Sequence, residues 1–197
     1  MRLILVRHGE SEWNASGRVQ GQADPGLSAA GREEALRIAP LVLAERPEVV
    51  VSSDLRRAAE TAALLGAGPV ETDARWRESA MGDWTGRTSA ELLADPSGAF
   101  AAWREGRESP PGGESFDQMR ARIGAAARDL QARGVARAVV VTHGGPVRAA
   151  CAELAGLLPW SLVPVPNACV TIIEMDARRL RAFAVRPPSP AVPRADA

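Results

Sequence analysis

The chain holds two histidines in 197 residues, and both close a short apolar run: His8 ends "LILVRH" and His143 ends "VVVTH". A glycine follows each, which permits an unusual turn or a close approach of main chain to a ligand. Either imidazole alone reads as a loop histidine at a turn. Two in the same setting point to one shared site. A third apolar run, "VVVSS", leads into "SSDLRRAAETA", with Arg56 and Arg57 in the first turn of a helix. Arg56 has Glu60 one turn on and is expected to pair with it on the surface, whereas Arg57 meets Thr61 at that spacing and is the better candidate for a ligand. Arg7, Arg57, two imidazoles and a helix N-terminus would suit a small dense anion, and phosphate matches the arginine fork.

A pocket that only held phosphate would gain more from another arginine than from a neutral imidazole. Histidine adds nucleophilicity near neutral pH: one ring could attack phosphorus in line while flanking cations stabilise the transferring oxygens. The departing alkoxide then needs a proton from a carboxylic acid within reach. Glu78, in "WRESAMGDWTG", is a candidate beside glycines and the bulky Trp76 and Trp84, which could shield it from water. No G-x-S-x-G elbow is present, which argues against a Ser-His-Asp hydrolase.

The elements that must position these groups follow from the apolar pattern. Runs at residues 3 to 6, 49 to 51 and 138 to 141 are unbroken rather than alternating, as suits strands buried on both faces. Helical patterns span residues 28 to about 45, 54 to about 65, 115 to about 133 and 146 to about 157. Alternating strands and helices predict an α/β fold, a three-layer α-β-α sandwich with a mostly parallel central sheet. In such sheets ligands bind beyond the carboxyl ends of the strands, where His8 and His143 both sit. Pro40 is expected to kink or divide its helix. Thr88 with Glu91, and Ser115 with Gln118, have capping-box spacing. "ACVTIIEMD" and "RLRAFAVR" read as a strand pair.

One domain over residues 1–186 is expected, with an insertion at about 73–114 that covers one end of the sheet, and a Pro-rich tail at 187–197 expected to be disordered. Twenty-four basic and twenty-four acidic residues cancel, so no global field favours nucleic acid or an anionic membrane. Cys151 and Cys169 are too few for a thiolate metal site, and no metal or other cofactor is expected. No run has the length of a signal-peptide core or a membrane span, and a cytoplasmic location follows. An exposed sheet edge could pair two copies, so a monomer or a homodimer is expected.

"LVRHGESEWN" is similar to the opening signature of the histidine phosphatase superfamily, the phosphoglycerate mutase-like proteins. The resemblance continues through "GRVQGQADPGLSAAGREEA", "SSDLRRAAETA", "RESAMGDWTG", "PPGGESFDQM" and "VVVTHGGPVRAA", in the family's order. It implies a phosphoglycerate mutase-like fold in which His8 is the phosphorylated nucleophile and Arg7, Arg57 and His143 complete the phosphate pocket. It implies that Glu78 is the proton donor, that Asn14 contacts the phosphoryl group, and that Ser11 and Gln20 lie in segments lining the entrance. Fewer than thirty residues separate "GDWTG" from "PPGGES", which resembles the short phosphatase branch rather than the mutases.

A metal-independent phosphomonoesterase acting on a small phosphorylated metabolite through a phosphohistidine is therefore expected. The alternatives are a phosphoglycerate mutase-type phosphotransferase and a non-catalytic module that binds a phosphorylated ligand.

Overall fold

The computed structural model describes residues 1–162 and 164–187. Its strands are β1 (Arg2–Arg7), β2 (Val49–Ser52), β3 (Val70–Thr72), β4 (Arg137–Thr142), β5 (Val170–Glu174) and β6 (Arg179–Val185). Its helices are α1 (Glu12–Ala15), α2 (Ala29–Ala44), α3 (Arg56–Leu65), α4 (Ser89–Leu93), α5 (Ala99–Arg104), α6 (Phe116–Ala132) and α7 (Gly144–Ala155). The six strands form one sheet in the order β3-β2-β4-β1-β5-β6. β3, β2, β4 and β1 run parallel, and the strand pair expected at the C-terminal end adds β5 antiparallel to β1 and then β6 antiparallel to β5.

The unbroken apolar runs have the cause that the sequence suggests. Leu3, Leu5 and Val140 face one core with Ile123 and Ala127 of α6 and Val147 and Ala150 of α7. Ile4, Val6, Val139 and Val141, the alternate residues, face a second core with Ile38 and Val42 of α2 and Ala58 and Ala62 of α3. Burial of such a side chain stabilises by roughly 1.5–3 kcal/mol, so both faces of β1 and β4 select apolar residues throughout Leu3 to Val6 and Ala138 to Val141. Helices thus cover both faces of the sheet, giving three layers.

Several local expectations shift. Pro40 does not divide α2, which runs from Ala29 to Ala44. Pro40 is exposed, so the Leu36 carbonyl it leaves without a donor can be met by water. α3 starts at Arg56 rather than at Asp54, whose carboxylate instead takes Arg77 at 2.7 and 2.5 Å. α7 starts at Gly144, two residues earlier than the sequence suggests, with His143 as its N-cap. β3 escapes the sequence reading, since all three of its residues are exposed at the sheet edge. Both capping boxes form, Ser115 Oγ taking the Gln118 N–H at 3.1 Å and Thr88 Oγ1 taking the Glu91 N–H at 3.2 Å.

Residues 73–114 fold into two 3-10 turns, at Ala74–Trp76 and Gly82–Trp84, followed by α4 and α5. Met81, Trp84, Leu92 and Phe100 form a separate apolar cluster, with Trp103 stacked on Phe100 at 5.2 Å. The two tryptophans that flank Glu78 in the sequence lie in different apolar clusters, Trp76 fully buried in the main core and Trp84 in this separate one. The expected tail lies outside the described residues from 188 onward.

Candidate active site

Parallel pairing of β1 with β4 sets Arg7 opposite Thr142, so the residues that follow, His8 and His143, leave the same edge of the sheet side by side. Their ring centroids are 5.0 Å apart with the planes at 63°. His8 is 2% exposed and His143 fully buried. His8 Nδ1 lies 2.6 Å from the Gly9 carbonyl, an acceptor only, so Nδ1 carries the proton and donates it. Nε2 is then the lone pair, and Arg57 Nε–H donates to it at 3.3 Å. Burial, reinforced by Arg57 and Arg7, holds the His8 imidazole well below its ordinary value of 6.5, which keeps it neutral and nucleophilic.

Arg57 is 1% exposed, and its fork is clamped by the Ala23 and Gly21 carbonyls at 2.7 and 2.8 Å. Burial lowers its pKa to about 10, so it remains cationic at neutral pH. Arg56, by contrast, pairs with Glu60 at 2.7 Å on the surface, as the helical spacing indicates. Thr61 has a role that spacing does not reveal: its hydroxyl takes the Gly9 N–H at 3.2 Å and donates to the Arg57 carbonyl at 2.8 Å, tying the histidine loop to α3. Arg7 donates through Nη1 to the Val165 carbonyl, while its buried Nε has no partner among the described residues.

Glu78 reaches the same place from the insertion. Its Oε1 accepts the Ser79 N–H at 2.8 Å and its Oε2 the Gly145 N–H at 3.2 Å, at the N-terminus of α7. Only glycine allows this approach, because a Cβ at residue 145 would lie 2.2 Å from Glu78 Oε1. Arg122 of α6, which the sequence reading did not single out, fixes the backbone around Glu78 by donating to the carbonyls of Arg75, Arg77 and Glu78 at 2.6, 2.8 and 3.3 Å. The glycine after His8 serves the chain rather than a ligand: a Cβ at Gly9 would lie 2.2 Å from the Gly31 carbonyl oxygen of α2.

Asn14 lines the cavity above His8. Its Oδ1 accepts the Ser11 N–H at 3.2 Å and the Asn167 Nδ2–H at 3.1 Å, which leaves its own amide N–H groups for the cavity. Ser11 is fully buried and does not line that cavity; it caps α1 and donates to Gln20 Oε1 at 2.7 Å. Gln20 does line it. The cavity measures about 320 Å³ and adjoins a second of about 220 Å³, the two sharing Arg7, Glu78, Trp103 and Arg104. Arg18 and Arg104, both exposed at this opening, were not anticipated. Among the described residues no group of three His, Cys, Asp or Glu side chains could hold a metal ion, and no helix is long and apolar enough to cross a membrane. Burial pushes the Cys151 and Cys169 thiols up to about 12 and about 11, which makes them poor nucleophiles.

A neutral imidazole lone pair at the floor of an arginine-lined cavity, at the carboxyl edge of a doubly wound sheet, is a setting for phosphoryl transfer. The family pattern of the histidine phosphatase superfamily (branch 1) matches residues 3–186. Over 168 residues the chain is 44% identical to glucosyl-3-phosphoglycerate phosphatase of Mycolicibacterium vanbaalenii, covering 79% of this chain and 75% of that protein. It is 38% identical over 156 residues to the metal-independent phosphoserine phosphatase of Arabidopsis thaliana, covering 75% and 66%. A solved structure of a mycobacterial glucosyl-3-phosphoglycerate phosphatase in complex with VO3 superposes with a TM-score of 0.81 at 39% identity, covering 88% of this chain and 92% of that one. The chain belongs to the histidine phosphatase superfamily, branch 1, and it is a phosphatase of the phosphoglycerate mutase-like fold.

Proposed function

We propose that this phosphomonoesterase works in two steps through a phosphohistidine on His8. In the first, His8 Nε2 attacks the substrate phosphorus, the phosphorus–oxygen bond to the leaving group breaks, and Glu78 gives its proton to the departing oxygen. In the second, Glu78 takes a proton from water, whose oxygen attacks the phosphohistidine and releases inorganic phosphate and free His8. Arg7, Arg57, His143 and Asn14 stabilise charge on the transferring oxygens, and Gln20 lines their approach. The observation that carries this reading is the tautomer of His8: Nδ1–H is committed to Gly9 O, which leaves one lone pair, on Nε2, among cationic and N–H donors.

Residues 1–186 are read as one domain with the insertion roofing the site. The compounds named for the relatives, glucosyl-3-phosphoglycerate and phosphoserine, each join a phosphate ester to a carboxylate. Arg18 and Arg104 have no carboxylate partner among the described residues and stand at the opening that a leaving group would fill. A small phosphorylated metabolite bearing a carboxylate is therefore the proposed substrate. Such an ester does not cross membranes unaided, and with the two unpaired buried cysteines it fits a cytoplasmic enzyme.

Phosphate release from a varied panel of phosphomonoesters, measured in chelator and ranked by kcat/KM, tests both parts. Carboxylate-bearing esters should rank above neutral sugar phosphates, with full activity in chelator. Loss of turnover in chelator, or turnover only with a bisphosphorylated primer and no net phosphate release, would contradict it.

A further inference from the structure

His143 is fully buried, and its two ring nitrogens differ in their partners. Nε2 lies 2.9 Å from Ser53 Oγ, while Nδ1 has no partner among the described residues. Ser53 arrives there by register: parallel pairing sets Ser52 of β2 opposite Val141 of β4, so residue 53 leaves the sheet beside the turn that carries His143. Ser53 is itself fully buried and firmly held, its N–H donating to the Val141 carbonyl at 2.9 Å and its carbonyl accepting from Ser52 Oγ at 2.7 Å. Its Oγ also accepts the Leu55 N–H at 3.3 Å.

The 2.9 Å contact has two possible directions. If Nε2–H donated to Ser53, the serine hydroxyl hydrogen would have no acceptor among the described residues, and Nδ1 would be a bare lone pair on a ring centred 5.0 Å from that of His8, where the two-step reading puts anionic phosphoryl oxygens. Two polar groups would then be left over in a buried setting, and one would repel the substrate. If Ser53 O–H donates to Nε2, every hydrogen-bonding group of the pair is met except Nδ1–H, which a phosphoryl oxygen would satisfy. Burial, followed by the fields of Arg57 and His8, holds the ring well below its ordinary value, so it stays neutral and the choice between tautomers is real.

We infer that Ser53 is a positioning residue: its hydroxyl donates to His143 Nε2 and fixes the Nδ1–H tautomer, so that His143 offers the transferring phosphoryl group a proton rather than a lone pair. The two imidazoles then carry their protons on the same nitrogen for opposite purposes. His8 turns its lone pair on phosphorus, and His143 turns its N–H on a phosphoryl oxygen. This inference rests on the two-step reading above, yet its spectroscopic test does not depend on turnover.

The full chain labelled with nitrogen-15 in histidine holds only two imidazoles, and a His8→Asn variant assigns them. Long-range nitrogen–proton correlation at neutral pH should show His143 with a protonated Nδ1 and an unprotonated Nε2. Inorganic phosphate, at a concentration that inhibits turnover, should shift the Nδ1 resonance. Ser53→Ala should lower kcat by roughly 10²-fold, the size of losing one preorganised donor, with KM little changed. Ser53→Thr, which keeps the hydroxyl, should recover most of that loss. If Ser53→Ala fails to fold, the wild-type spectrum decides alone. A protonated Nε2 with bare Nδ1, an imidazolium at neutral pH, an Nδ1 resonance unmoved by phosphate, or a Ser53→Ala variant with wild-type spectrum and kcat would overturn the assignment.

Discussion

At the scale of single residues, the site depends on glycine as much as on charge. Gly145 lets the Glu78 carboxylate accept its N–H at 3.2 Å, and a Cβ there would collide with Glu78 Oε1 at 2.2 Å. The colliding atom is the far end of a flexible side chain, so Gly145→Ala should displace the carboxylate rather than unfold the chain. Loss of a positioned general acid costs about 10²- to 10⁴-fold. Gly145→Ala should therefore lower kcat/KM, which reports the phosphorylation step alone, by at least about 10²-fold on alkyl phosphates, while kcat/KM for an activated aryl phosphate, whose leaving group departs without a proton, should fall much less. Equal losses on both substrates, with an unchanged melting temperature, would show that Glu78 does not serve as the acid. The arginines divide in the same residue-by-residue way: Arg57 is buried and clamped by carbonyls, while its neighbour Arg56 is exposed and paired with Glu60.

At the scale of elements, β1, β2 and β4 are legible because packing on both faces demands an apolar residue at nearly every position. β3 is not, because Val70, Glu71 and Thr72 are exposed at the sheet edge and no core constrains them. The histidines announce themselves as chemistry placed at strand ends, and Arg57 by what stands one turn after it. Glu78 required the family pattern, since nothing local separates it from the other acids. The second layer of the site was out of reach of sequence spacing. Asn167 orients Asn14 across 153 residues, Ser53 meets His143 across 90, and Arg122 holds the Glu78 backbone across 44. Each pairing exists only after the sheet order and helix docking are set. α7 begins two residues earlier than its apolar pattern because glycines at 144 and 145 carry no hydrophobic signal, although the Gly145 N–H is what receives Glu78.

At the scale of the whole molecule, a net charge of zero leaves the cavity as a local cationic feature rather than part of a basic surface. The fold also carries two neutral histidines in its interior, and this sets a dependence of stability on pH. Both folded values lie well below 6.5, so below that pH the unfolded chain binds more protons than the folded one. Stability is therefore fully present above about pH 6.5 and falls as pH drops, by up to about 1.4 kcal/mol per pH unit for each ring until the folded values are reached. Chemical denaturation between about pH 5 and 8 should show this slope, and replacing both histidines with Asn should flatten it. A wild-type chain equally stable across that window would contradict the burial of neutral rings. The covalent step is the centre of the proposed chemistry, and rapid quenching after mixing with a radiolabelled phosphomonoester measures it. The expected product is a phosphoenzyme that is labile in acid, stable in base, located on His8 and absent from His8→Ala. An acid-stable phosphoenzyme on another residue, or full turnover by His8→Ala, would contradict it.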